Sequence, residues 1–360
     1  MFFKENPFYI LGLEENSVDD SYPSSTSPAS SPKVKRILQD NQKRSEAEFY
    51  WIWDIGKEYA LEWVRDIIGG RIFTLSSWNN LSPMTALILE LNTLYYGKMM
   101  SLEWLLDIER CYQKVNIEEV TKKINQVRQS QGFTTLCDAS DMEWWMQNLL
   151  YQLGIAFKRA MRGTSLLDVS HILYQMGRQG KRTLVYYQFV SVYEMESFSQ
   201  REELKGNLVY GLTLLSSHTE QGKQLTADMM EEYQSLMEAL YERDGWRAYE
   251  PIFSLCRGSG IAFYSQKGKR EGSIYFQWLL SLFSFDPTGK SLLLEDLQNI
   301  EQGRPLHGGA FFKNDTCRVP KSIRNIPQVP LAPMHRNREP IALAMISIVW
   351  LMALGGYFFL

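Results

Sequence analysis

The run Asp286-Pro287-Thr288-Gly289-Lys290-Ser291 ends in the Gly-Lys-Ser of a phosphate-cradling loop, in which backbone N–H groups surround the phosphates and the lysine reaches them. That loop needs a glycine five positions before Gly289, where Ser284 stands, so no nucleotide site is expected. Arg257-Gly258-Ser259-Gly260 resembles a nucleophile elbow only in part, because Arg257 occupies the position that must be glycine. The acidic doublets Glu202-Glu203 and Glu231-Glu232 could pair for acid–base work, but doublets on amphipathic helices read first as solvated faces. Trp144 and Trp145, beside Met142 and Met146, read as core packing before ligand binding. Cys111, Cys137, Cys256 and Cys317 are far apart without a Cys-x-x-Cys pair, and His171, His218, His307 and His335 fall into no ligand motif. This pattern suits a reducing compartment and predicts neither a disulfide framework nor a zinc site, so no metal and no cofactor is expected. No residue stands out as catalytic. Two functional classes stay open: a protein-interaction protein, and an enzyme with an unrecognised helical site near a membrane.

The elements that must position such groups are helices. With 45% hydrophobic residues, 22% charged residues and a net charge of −3 over 360 residues, the chain can bury a sizeable core and has no basic footprint for nucleic acid. From Glu46 to Gln302 it is rich in Leu, Met, Glu, Gln, Lys and aromatics, with prolines only at 83, 251 and 287, which predicts an all-α body. Pro23, Pro28 and Pro32 stand among serines in residues 21–33 and predict a linker without a regular helix.

The far end reads differently. Residues 341–360 are uncharged throughout, long enough as a helix to cross the roughly 30 Å hydrocarbon core, and predict a C-terminal transmembrane anchor. Residues 303–340 hold six prolines, and from Gly303 to Glu339 seven Lys/Arg face two acids, which predicts an extended basic linker beside the membrane. Arg336 and Arg338 place that side in the cytoplasm by the positive-inside rule, and the body with it.

Within the body, the segments beginning at Gly56 and Gly97 share seven of twelve residues at a separation of 41, including Trp63 and Trp104. Further Gly-Lys pairs begin at Gly180, Gly222, Gly268 and Gly289, and aromatics follow two of them at the same distance, Tyr187 after Gly180 and Tyr275 after Gly268. A glycine that ends one helix and an aromatic about two turns into the next would supply a stop and a packing residue. The pattern resembles the helix-pair repeats of the tetratricopeptide superfamily, its Sel-type branch above all. The alternative is a set of ordinary helix starts in an irregular α-domain.

Asn6-Pro7-Phe8-Tyr9-Ile10-Leu11-Gly12-Leu13 resembles the opening of a J-domain, and Leu38-Gln39-Asp40 falls where that family has its His-Pro-Asp turn. The resemblance covers residues 5 to 60, about a sixth of the chain, and implies an Hsp70-type partner that would be met through Asp40 and the basic residues Lys33, Lys35, Arg36, Lys43 and Arg44. Leu38 and Gln39 replace the family's His and Pro, which predicts that the segment does not stimulate an Hsp70 ATPase. The second reading of the motif is a clasp that tucks Phe8, Ile10 and Leu11 into the helical body. A J-like start joined to a tail anchor resembles a small group of enterobacterial membrane J-like proteins, which implies the bacterial inner membrane.

Overall fold

The computed structural model describes residues 2–14, 32–55, 57–71, 78, 80–97, 100–130, 136–180, 182–215 and 219–306. All regular structure among them is helical. A 3-10 turn at Phe3–Glu5 leads into α1 (Pro7–Glu14), followed by α2 (Pro32–Gln39), α3 (Asn41–Phe49), α4 (Lys57–Ile68), α5 (Pro83–Gly97), α6 (Leu102–Lys114) and α7 (Ile117–Ser130). The longer helices come next: α8 (Ala139–Met161), α9 (Leu166–Gln179), α10 (Leu184–Leu215), α11 (Thr219–Asp244), α12 (Glu250–Lys267), α13 (Lys269–Leu282) and α14 (Pro287–Glu301). Several starts follow from a side chain that accepts from the orphan N–H groups of the first turn: Ser101 takes Trp104 N, Asp138 takes Ser140 N, Ser165 takes Asp168 N, and Asp286 takes Thr288 N and Gly289 N. Each such cap is worth about 1 kcal/mol.

Helices pair in sequence and stack in two layers. α5, α8, α10 and α12 touch in turn along one layer, while α6, α9 and α11 touch along the other. α5 lies inside: Met84 through Leu94 are all buried, among them Glu90, Asn92 and Thr93. A helix that is apolar nearly all round can only sit in a core, and whatever polar residue it carries is taken there with it. Close crossings use small residues. A Cβ on Gly154 of α8 would strike the Gln188 side chain on α10, and one on Gly260 of α12 would meet the Tyr275 ring on α13 at 2.7 Å. Phe157 and Phe189 stack at 4.6 Å between α8 and α10, adding an aromatic pair to the buried apolar area.

The structure corrects three expectations. Pro32 and Lys33 belong to α2, not to a linker, because proline is tolerated at the first helical position, where its missing N–H has no partner to lose. α1 packs on α2 and α4. Trp63 and Trp104 are not equivalent: Trp63 is the seventh residue of α4 and half-buried, whereas Trp104 is the third residue of α6, buried, and edge-on to Trp78. Of the Gly-Lys pairs, those at Gly97, Gly180 and Gly268 stand at helix ends, but Gly222 and Gly289 lie inside α11 and α14. Tyr275 is buried, whereas Tyr187 is half-exposed and its neighbour Tyr186 fills the core position. Gly56 and the proposed anchor at 341–360 lie outside the described residues; no helix among the described residues is long and apolar enough to cross a membrane.

Candidate functional site: a tryptophan groove and two buried polar centres

Three motif residues at the N-terminus, Asn6, Phe8 and Asp40, make contacts that hold the fold. Asn6 is fully buried; its Oδ1 accepts from Phe8 N at 2.9 Å, capping α1 ahead of Pro7, and its Nδ2 donates to Ala47 O at 2.9 Å, tying α1 to α3. Phe8 then enters a cluster with Leu38 and Ala47, against which Ile10, Trp51, Trp53 and Val127 pack. Leu11 and Gly12 belong to α1, and their side chains lie outside the described set. Asp40 caps α3, accepting from Gln42 N and Lys43 N at 3.1 Å each, and the Lys43 backbone donor holds its carboxyl below the usual value. Its carboxylate is thus engaged by the helix it starts.

Phe8 meets both the Trp51 and the Trp53 ring edge-on at 5.7 Å. Those two indoles form one wall of a groove of about 210 Å³. Asp54, Ser82, Met84 and Thr85 add the N-terminal end of α5, and Val115, Asn116, Glu119, Val120 and Lys123 close it from the start of α7. Each wall is fixed by polar bonds. Trp53 Nε1 donates to Glu48 O at 2.7 Å, and Asp54 Oδ2 accepts from Ser82 N at 3.1 Å and from the Thr85 hydroxyl at 2.8 Å. Burial pushes the Asp54 carboxyl up, but these donors outweigh it and leave it below its ordinary value. Asn116 caps α7 through Glu118 N and Glu119 N. The result is a rigid aromatic-lined notch, smaller than the roughly 300 Å³ at which small-molecule sites begin, with Asp54, Glu119 and Lys123 at its rim.

Behind the groove lies a buried ionic centre. Glu48, with no exposed surface, accepts from Arg44 Nε at 2.9 Å through one oxygen and from Arg128 Nε at 2.7 Å through the other. Arg128 also donates to Ser45 Oγ and Asn41 Oδ1, and Ser45 Oγ lies 3.4 Å from Cys137 Sγ. Burial raises the Cys137 thiol, which makes it an inert core sulfur at neutral pH. The centre clamps α3 to α7 and to the segment before α8.

A second centre joins α5 and α6. Glu90, carried inside by α5, faces Asp107 and Cys111, which lie one turn apart on α6; one ligand atom from each lies within 4.8 Å of the others. Cys111 Sγ is 3.9 Å from Glu90 Oε1, and no donor reaches Glu90 Oε2. Burial, with the Asp107 carboxylate alongside, pushes the Glu90 carboxyl up to about 10, and burial likewise raises the Cys111 thiol. These three residues are the ones among the described set that could hold a metal. Sequence reading missed them because only Asp107 and Cys111 share a visible spacing, and their partner Glu90 is 17 and 21 residues away on another helix.

The remaining candidates do not assemble. Asp286 to Ser291 is a helix start, with Gly289 buried against Trp246 and Phe253, and Arg257 of the Arg-Gly-Ser-Gly run forms a two-bond ion pair with Asp296 at 2.6 and 2.7 Å. Glu202, Glu203, Glu231 and Glu232 are solvated. Met142 and Trp145 pack in the core, but Trp144 is 53% exposed. No family model matches the chain, and no curated protein or solved structure matches it.

Proposed function

We propose that the chain is a membrane-tethered protein-interaction protein of the chaperone-adaptor kind. Its helical body offers the Trp51–Trp53 groove to an apolar side chain of a partner protein, and residues 341–360 hold that body at the cytoplasmic face of a bilayer. The observation that carries the binding role is the groove itself. It has a wall of two indoles, of which Trp53 is held by a hydrogen bond, a volume suited to one anchoring side chain, and charged residues in its lining for orientation. The N-terminal J-like segment serves this reading as the support behind both indoles, with Asp40 acting as a helix cap. The tether rests on the 20 uncharged residues after Pro340.

A photo-crosslinking side chain placed at Val120 in the groove, with Glu143 on α8 as control, tests the binding role in cells that express the full chain. One discrete adduct at Val120, absent at Glu143 and lost on Trp53→Ala, is the expected result; identical adducts at both positions refute the groove. Removing residues 341–360 should release the body from salt-washed membranes. Addition of the full chain should leave the ATPase of an Hsp70-type chaperone unchanged, and clear stimulation would restore the co-chaperone mechanism.

A further inference from the structure

We propose that Glu90, Asp107 and Cys111 form a binding site for a divalent transition-metal ion of the zinc type. Asp107 and Cys111 stand at i and i+4 on α6, so both side chains leave the same face, and that face is turned to Glu90 on α5. Tetrahedral coordination with bonds of about 2.0 Å to oxygen and 2.3 Å to sulfur needs oxygen and sulfur about 3.5 Å apart. Cys111 Sγ and Glu90 Oε1 are 3.9 Å apart, and one ligand atom from each of the three residues lies within 4.8 Å of the others, so the three side chains must draw in by rotamer adjustment to close on an ion.

A second observation points to a ligand independently of that clustering. The Glu90 side chain has no exposed surface, and its Oε2 receives no hydrogen bond. A buried carboxyl oxygen that receives no hydrogen bond is costly, two acids side by side must share a proton or a cation, and an ion between Glu90 and the α6 ligands meets both needs. The ion has a way in, because the Asp107 side chain keeps 16% of its surface and Cys111 is half-buried. Arg110 pairs with Asp107 from outside and would fix the orientation of that carboxylate as a supporting ion pair. The donor set decides the metal class: two carboxylates and one thiolate suit a borderline ion, whereas calcium and magnesium seek six or more oxygens. Three protein ligands leave a fourth position for water. On binding, the thiol proton and the carboxyl proton leave to solvent, and the two charges of the ion meet three negative ligands, with Arg110 adjacent.

The test is a titration of the reduced, chelator-stripped full chain with Co²⁺. The expected result is a near-ultraviolet thiolate-to-cobalt band that saturates at one ion per chain and is displaced by Zn²⁺. Cys111→Ser should abolish the band, Cys137→Ser and Cys256→Ser should retain it, and Glu90→Gln should weaken binding at least tenfold. Absence of the band, or its persistence in Cys111→Ser, overturns the proposal. Asp107→Asn, an isosteric change at a partly exposed side chain, covers the case in which Cys111→Ser loses its circular dichroism; unchanged cobalt affinity in Asp107→Asn also overturns it.

Discussion

Glu48→Gln isolates the electrostatics of the ionic centre. The substitution keeps the volume and leaves intact the Trp53 bond, which goes to the Glu48 main-chain carbonyl, so packing is preserved while the carboxylate that faces two guanidinium groups is removed. Arg44 and Arg128 keep 3% and 1% of their side-chain surface and approach Glu48 at 2.9 and 2.6 Å, so water cannot replace the lost charge. Breaking a buried pair in this way costs about 3–5 kcal/mol. With an unfolding entropy of about 2.1 cal/mol/K per residue over roughly 300 folded residues, that loss lowers Tm by about 5–8 °C. Thermal and urea unfolding of the full chain, followed by far-ultraviolet circular dichroism, measures it. The combined change Glu48→Met, Arg44→Met and Arg128→Leu removes the charges together and should recover most of the loss, since apolar replacement of a buried ion cluster is often neutral or stabilising. A Tm within about 1 °C of the parent for Glu48→Gln alone would mean that water or a further acid carries the two arginines, and the reasoning fails.

Two further outcomes follow from the same geometry. Phe8→Ala removes a ring with 2% exposure that backs both groove indoles, so it should cost about 3–5 kcal/mol and leave Trp51 and Trp53 more open to iodide quenching; unchanged quenching would detach the N-terminus from the groove. The Glu194 carboxyl is held below its ordinary value of 4.5 by a hydrogen bond from Arg243, against the opposing effect of partial burial. The unfolded chain therefore takes up this proton first, so the contribution is present above about pH 4.5 and lost as pH falls below it. Glu194 is 42% exposed, so the effect is small, and Glu194→Gln should reduce stability at pH 6 while converging with the parent near pH 3. A constant gap between the two across that range would show that the pair contributes nothing through ionisation.

What the sequence made legible was set by local rules. Helix-forming composition and the scarcity of proline between Glu46 and Gln302 act over a few residues at a time, and the all-α body follows from them; the same local rule misread Pro32, which starts α2 instead of breaking it. The packing of Phe8 in the clasp reading was legible too, since an aromatic after an Asn-Pro pair that can cap a helix is carried on the first turn of that helix. The repeat misled because seven shared residues fix composition but not phase: four residues separate Gly97 from the start of α6, whereas Lys57 already belongs to α4, so the same spacing from glycine puts Trp104 in the first turn and Trp63 in the second. One turn of offset keeps the face but shifts the aromatic along the helix axis to different neighbours, and burial follows the neighbours: Trp104 meets Trp78 and is buried, whereas Trp63 is half-buried.

The groove and both polar centres were illegible for a different reason. Each is assembled from α3 or α5 and a partner from α6 or α7, across separations such as the 80 residues from Glu48 to Arg128. No helical period relates such positions. The sequence did carry one usable hint: Glu90 and Asn92 interrupt the apolar run from Met84 to Leu94. A helix that apolar must be enclosed, so its polar residues must find partners inside. Asn92 does so, donating to Ile88 O and accepting from Phe3 N at 2.9 Å, which ties the N-terminus to the core. Glu90 finds Asp107 and Cys111 but leaves one oxygen without a donor. The two residues share a helix and an environment, and they differ in that the Asn92 amide can both donate and accept, whereas a carboxylate needs a proton or a cation to be satisfied among acids. That chemical difference makes Asn92 a structural link and Glu90 the residue on which the metal proposal turns.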